Sequence, residues 1–207
     1  YFKVKIMDTN LEDLKHIRSM MERSSKFLSL SGMSGVSAGL VALAGAWIAH
    51  SMIKGSLAIT GNLKYDLIIL AIVVIAGAAI VGFYFCARKA KKNGSRLWLP
   101  VTYQVLADFM IPMIVGGLFC LILLYHSIWL LIVPSMLIFY GLALIVAGER
   151  TYKDIKILGA CEIVLGFIAA VVDWNNIALW AIGFGLMHII YGLVMHFKYD
   201  AKTDKKN

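Results

Sequence analysis

The sequence predicts an all-α, polytopic membrane protein: six transmembrane helices with an N-terminal amphipathic interfacial helix, possessing hairpin-repeat character. Three observations carry that prediction. Of 207 residues, 60% are apolar and 15% charged, and mean hydropathy is +0.80, whereas a soluble domain is about half apolar and a quarter charged. The apolar residues fall into runs of about 20, enough for a helix to cross a hydrocarbon core of about 30 Å. Lys and Arg are concentrated between those runs, so the net charge of +8 reads as topology and headgroup contact, with no nucleic acid implied.

In chain order, residues 1–26 form the interfacial helix, 27–197 the six-helix bundle and 198–207 a basic tail. The chain opens on Tyr1, with Met7 just before a helix start, and residues 1–6 carry no part of the functional reading. Thr9-Asn10-Leu11-Glu12 has the pattern of a capping box. Leu11, Leu14, Ile17, Met21 and Leu28 recur at helical spacing opposite Glu12, Asp13, Lys15, Glu22 and Lys26. This charged segment runs into Phe27 and the first span with no loop expected between them. That first apolar run is long enough to span, so a cleavable signal peptide is not expected.

The spans are expected near 27–52, 65–87, 100–125, 127–148, 155–173 and 176–197. The segments 1–26, 88–98, 149–156 and 198–207 then share one side and hold 18 of the 20 Lys and Arg residues, leaving Lys54 and Lys64 opposite. The positive-inside rule makes both termini cytoplasmic. The basic turn at Arg88, Lys89, Lys91, Lys92 and Arg96 would attract anionic lipid headgroups. Trp98 and Pro100 suit an interfacial anchor and a helix first turn. His126-Ser127 and Asp173-Trp174-Asn175-Asn176 leave room only for tight hairpins. Pro134, in the middle of span four, is expected to kink that helix, and Gly183 and Gly185 fall at similar depth in span six.

A weak repeat runs through the second half. Trp129 precedes Tyr140-Gly141-Leu142 by eleven residues, as Trp180 precedes Tyr191-Gly192-Leu193, an offset of 51. Cys86, Cys120 and Cys161 lie in or at the ends of spans and are odd in number, so no disulfide framework is implied.

Two sets of residues invite a closer look. Ser31, Gly35 and Gly39, with Ser34 and Ala38 beside them, give span one a small-residue seam on which another helix can approach closely. Ser24, Ser25 and Ser29, near Arg23 and Lys26, offer an alternative anion site. Deeper, Asp108, Glu162 and His188 stand roughly 9 to 14 Å in from the basic ends of their spans. A carboxylate there costs about 2.5 kcal/mol or more unless it finds a partner or water. A shared polar site of these three, supported by Gln104 and Tyr191, is expected; three separate helix-pinning contacts are the alternative. A metal site is undecided: zinc needs about three protein ligands, and His188 is the one deep imidazole. No HExxH, Walker A or dinucleotide fingerprint occurs, and no cofactor is called for.

The run from Ile17 to Gly35, IRSMMERSSKFLSLSGMSG, resembles the opening of an uncharacterised family of small multi-span inner-membrane proteins from Bacteroidota-type bacteria. The resemblance implies a bacterial inner-membrane location and supplies no activity. Three functions stay open: a bundle that binds or transports a small solute, proton or ion through the polar site, a structural or regulatory component of a complex, and an intramembrane metal-dependent hydrolase. A homo-oligomer is compatible with all three.

Overall fold

The computed structural model describes residues 30–94, 97–172 and 175–201. The interfacial helix, Ser24, Ser25, Ser29, Arg96, Asp173, Trp174 and the last six residues lie outside them. Every regular element among the described residues is helical. They are α1 (Gly32–Ile53), α2 (Leu63–Lys92), α3 (Pro100–Tyr125), α4 (Ile132–Ala147, flanked by 3-10 turns Trp129–Leu131 and Gly148–Arg150), α5 (Lys153–Val171) and α6 (Asn176–Asp200). Five are long and apolar enough to cross a membrane. The exception is α5, which carries Lys153, Asp154, Lys156 and Glu162 and joins the bundle by extensive packing on α4.

Three boundaries differ from expectation. Leu30 and Ser31 are not helical, so a break precedes α1. Residues 88–92 continue α2 because Ala and Lys are good helix formers; the chain turns at Asn93 and Gly94, whose φ of +61° suits a residue without Cβ. Pro134 lies in the first turn of α4 and not at mid-span. The carbonyl four residues before it, that of Leu130, accepts from Asn176 Nδ2 at 3.1 Å. Pro112 is the proline inside a helix.

Glycines set the closest pairings. In α4 against α5, a Cβ on Gly141 would lie 2.5 Å from the Gly159 carbonyl oxygen, and one on Gly166 would lie 3.0 Å from that of Pro134. In α1 against α6, a Cβ on Gly39 would meet the Gly185 oxygen at 2.6 Å, and one on Gly35 the Gly192 Cα at 3.1 Å. Backbones touch there because nothing stands between them. The other side of α1 serves α2: a Cβ on Gly45 would lie 2.5 Å from Val74 Cγ2 and one on Gly77 3.5 Å from Val41 Cγ1. Buried Ser34 donates to the Ser31 carbonyl at 2.5 Å on the side where Cys86 of α2 lies, and Ala38 is half-buried. The small residues of α1 thus face two different neighbours. Although few residues separate α5 and α6 in the chain, α6 packs mainly on α1.

One end of the bundle is basic and tied by side chains. Asp200 Oδ2 accepts from the Gly32 backbone N–H at 2.9 Å and from Ser31 Oγ at 3.5 Å, so the free amide at the start of α1 is capped by α6. Lys89 Nζ reaches Asp200 Oδ1 at 2.8 Å and the Leu30 carbonyl at 2.6 Å. Beside them Lys198 and Tyr199 both donate to Asp154, each at 2.7 Å. At the far end Lys64 Nζ donates to Ser127 Oγ at 2.8 Å and lies 5.8 Å from the Trp129 ring centroid.

Candidate functional site

Glu162 projects from the middle of α5 into a wholly enclosed space, with 0% of its surface exposed. Room for it comes from α6. That helix is α-helical over Asn176–Trp180, widens to π-helical turns over Ala181–Met187 and returns to α at His188. π turns accommodate an extra residue and favour functional positions. Gly183 and Gly185 open the widened stretch in two directions. Gly183 lies against the Glu162 carboxyl and Leu137, and Gly185 against Leu43 of α1.

His188, 7% exposed, begins the turn that follows. Its Nδ1 is 3.0 Å from the Gly183 carbonyl oxygen and 3.6 Å from Glu162 Oε1. Its Nε2 is 2.6 Å from the Tyr140 hydroxyl of α4. A carbonyl only accepts, so in the neutral imidazole Nδ1 carries the hydrogen and Nε2 accepts from Tyr140. At 3.6 Å the carboxyl is in ion-pair range of the ring but outside hydrogen-bond distance, and neither Glu162 oxygen has a hydrogen-bond partner among the described residues. Two charge states suit such a pair: both groups neutral, or a carboxylate beside an imidazolium.

Aromatic rings enclose the imidazole. Phe184 stacks on it with centroids 6.2 Å apart and planes 16° apart, and the Tyr140 ring lies 4.9 Å from Phe184. Phe109 of α3 meets Tyr140 edge-on at 5.9 Å, and Trp180 lies 5.1 Å from Phe184. These contacts fix the imidazole orientation and exclude bulk water.

The structure brings Glu162 and His188 together and gives Asp108 a different partner: its Oδ2 accepts from Arg150 Nε at 2.9 Å near the basic end of α4. An Arg side chain reaches inwards to a carboxylate more easily than a short Asp reaches a buried site. Gln104, one turn earlier on α3, is exposed. Tyr191 does not bond His188. Its hydroxyl is buried without a hydrogen-bond partner among the described residues, in a cluster with Leu144, Ile155 and Leu158. Tyr140, which takes the place expected of Tyr191, is its counterpart in the repeat of offset 51, and that repeat was the signal that could have found it.

Other residues fall as follows. Lys89 turns inwards to Asp200, its side chain 11% exposed, while Arg88 and Lys91 are exposed. Burial pushes the Asp154 carboxyl up, and the hydrogen bonds from Lys198 and Tyr199 outweigh it, holding the group below its ordinary range. Among the described residues no three His, Cys, Asp or Glu side chains converge to hold a metal ion. No protein-family model, curated protein or solved structure matches the chain.

Proposed function

We propose that this integral membrane protein binds and moves protons at the buried Glu162–His188–Tyr140 centre, with any small solute it carries coupled to that proton. The observation that carries the reading is the Glu162–His188 contact at 3.6 Å in a fully enclosed setting. Two groups able to exchange a proton face each other there, and among the described residues neither carboxyl oxygen has a hydrogen-bond partner. The seam of Gly35 and Gly39 on α1 is used within the chain by α6, which takes support from a role through partner binding at that face. The distribution of Lys and Arg supports a cytoplasmic basic end, with anionic headgroups meeting exposed Arg88 and Lys91.

Infrared titration of the reconstituted protein tests the reading. A protonated-carboxyl band should appear and vanish with pH, be lost in Glu162→Gln and persist in Asp108→Asn. Proton flux into vesicles, followed with an enclosed pH dye, should fall to the background of empty vesicles in Glu162→Gln. The proposal is wrong if no titrating band is assigned to Glu162, or if Glu162→Gln conducts as the unaltered protein does.

A further inference from the structure

The buried centre is apolar on one side and lined by hydroxyls on the other. Towards the far end Val133, Leu137, Leu165, Ala169 and Leu179 close into a cluster backed by Trp180 and Ile182. Towards the basic end, the cluster of Leu144, Ile155 and Leu158 is packed by three phenols, Tyr140, Tyr191 and Tyr152. Tyr140 already bonds His188 at 2.6 Å. At the other extreme Tyr199 bonds Asp154 at 2.7 Å, and the Asp154 side chain is 15% exposed.

Tyr191 stands between these two hydrogen-bonded groups. Its ring packs with those of Tyr140 and Tyr152 on the cluster of Leu144, Ile155 and Leu158, one turn along α6 from His188 and about two turns before Tyr199, and its hydroxyl has no hydrogen-bond partner among the described residues. As packing alone the position would be better filled by Phe, since a buried unpaired hydroxyl costs about 1–3 kcal/mol. A phenol that can donate and accept is what a proton path needs at that point.

We infer that Tyr191 relays protons between Asp154 at the basic end and the Glu162–His188–Tyr140 centre, an inference that rests on the proton-binding reading of that centre. The Asp154 carboxylate takes up the proton. Tyr191 Oη accepts it on a lone pair and releases its own proton towards Tyr140. The Tyr140 oxygen repeats the exchange with His188 Nε2, and the imidazole gives up its Nδ1 proton to Glu162 Oε1. Each O–H or N–H bond broken is replaced by one formed, no electrons are transferred, and one proton has moved from Asp154 to Glu162. Any step longer than a hydrogen bond requires a bridging water molecule. The groups facing the route are Tyr140 of α4, Tyr152 and Asp154 at the start of α5, and Lys198 and Tyr199 of α6. Lys89 of α2 joins them through the Tyr152 ring, 5.5 Å from its Nζ; on α3, Asp108 is turned to Arg150.

The test follows the Glu162 carboxyl band in time after a pH jump, in vesicles whose protein orientation is fixed by tail accessibility. Tyr191→Phe keeps the ring and removes only a hydroxyl with no hydrogen-bond partner among the described residues, so the fold survives. It should slow protonation from the basic-end side by about a hundredfold and leave the equilibrium titration in place. Asp154→Asn should slow it from the same side. An unchanged rate in Tyr191→Phe, or equal slowing from both sides, overturns the route while the proton-binding centre stands. If no Glu162 band titrates in the unaltered protein, the centre and the route fall together.

Discussion

A Cβ added to Gly183 would stand 2.5 Å from Glu162 Oε2 and 2.6 Å from Leu137 Cδ2, so the widened turn of α6 and the buried carboxyl share one space. Gly183→Ala is therefore expected to destabilise the bundle by about 1–3 kcal/mol, the range for overpacking a filled interior. Pairing it with Glu162→Ala vacates the oxygen in the way, and the double variant should cost less than the two single ones added together. Thermal unfolding in detergent across the four proteins measures the coupling. Additive losses would mean that Gly183 is there for backbone geometry alone.

The Tyr140–His188 contact leads to a spectroscopic expectation. With Nε2 accepting from Tyr140 at 2.6 Å and Nδ1 facing the Gly183 carbonyl at 3.0 Å, the neutral ring has its hydrogen on Nδ1. Nitrogen NMR of labelled His188 should report that tautomer. Tyr140→Phe leaves Nε2 unpaired in a buried place and should cost about 1–3 kcal/mol while moving the Nε2 resonance towards that of an unbonded ring nitrogen. Observing the hydrogen on Nε2 in the unaltered protein would contradict the arrangement.

The helical architecture was legible because its causes are local. Long apolar runs, Gly94 at a turn and Lys or Arg beside span ends are each visible in a few adjacent residues. The burial of Glu162 and His188 was legible too, because an ionisable group far along an apolar run has to turn towards the protein interior or water. Their partners were not. Asp108, Glu162 and His188 have equal claim to a shared site by depth, and only the order of helices around the bundle decides that Arg150 takes Asp108 and Tyr140 takes His188. That order is set by backbone contact between glycines, such as Gly141 with Gly159 and Gly39 with Gly185, and spacing along one helix does not say which other helix it meets. Asp200, which caps α1 from the last turn of α6, was hidden for the same reason. Pro134 was misplaced because hydropathy locates the apolar run, whereas the α-helix proper begins only at Ile132.

The glycines of the α1–α6 seam should differ in a graded way. At Gly35 an added Cβ would be 3.1 Å from the nearest atom, and at Gly39 it would be 2.6 Å from a backbone oxygen that cannot move aside. Gly39→Ala should thus cost more stability than Gly35→Ala. Among the described residues nothing lies within 4 Å of a Cβ added to Gly82 or Gly117, so Ala at either should be neutral or stabilise by up to about 1 kcal/mol through helix propensity. Unfolding midpoints of the four single variants in one detergent give the ranking, and a loss at Gly82 as large as that at Gly39 would refute it.

The clasp of Asp154 with Lys198 and Tyr199 carries a pH dependence of definite sign. Asp154 binds its proton less readily in the folded protein than in the unfolded chain, where the group titrates at about 3.9, because the two hydrogen bonds at 2.7 Å outweigh the effect of burial. A carboxyl lowered on folding adds stability above its unfolded value, and that addition is lost as pH falls through the lowered, folded value. The unfolding midpoint of the unaltered protein should therefore decline as pH falls below about 4, from loss of the clasp among other carboxyl contributions. Asp154→Asn should lower the midpoint near neutral pH and flatten that decline, and the two curves should converge in acid. Curves that stay parallel down to low pH would show that the clasp contributes nothing ionic, and that Lys198 and Tyr199 hold α6 against α5 by packing alone.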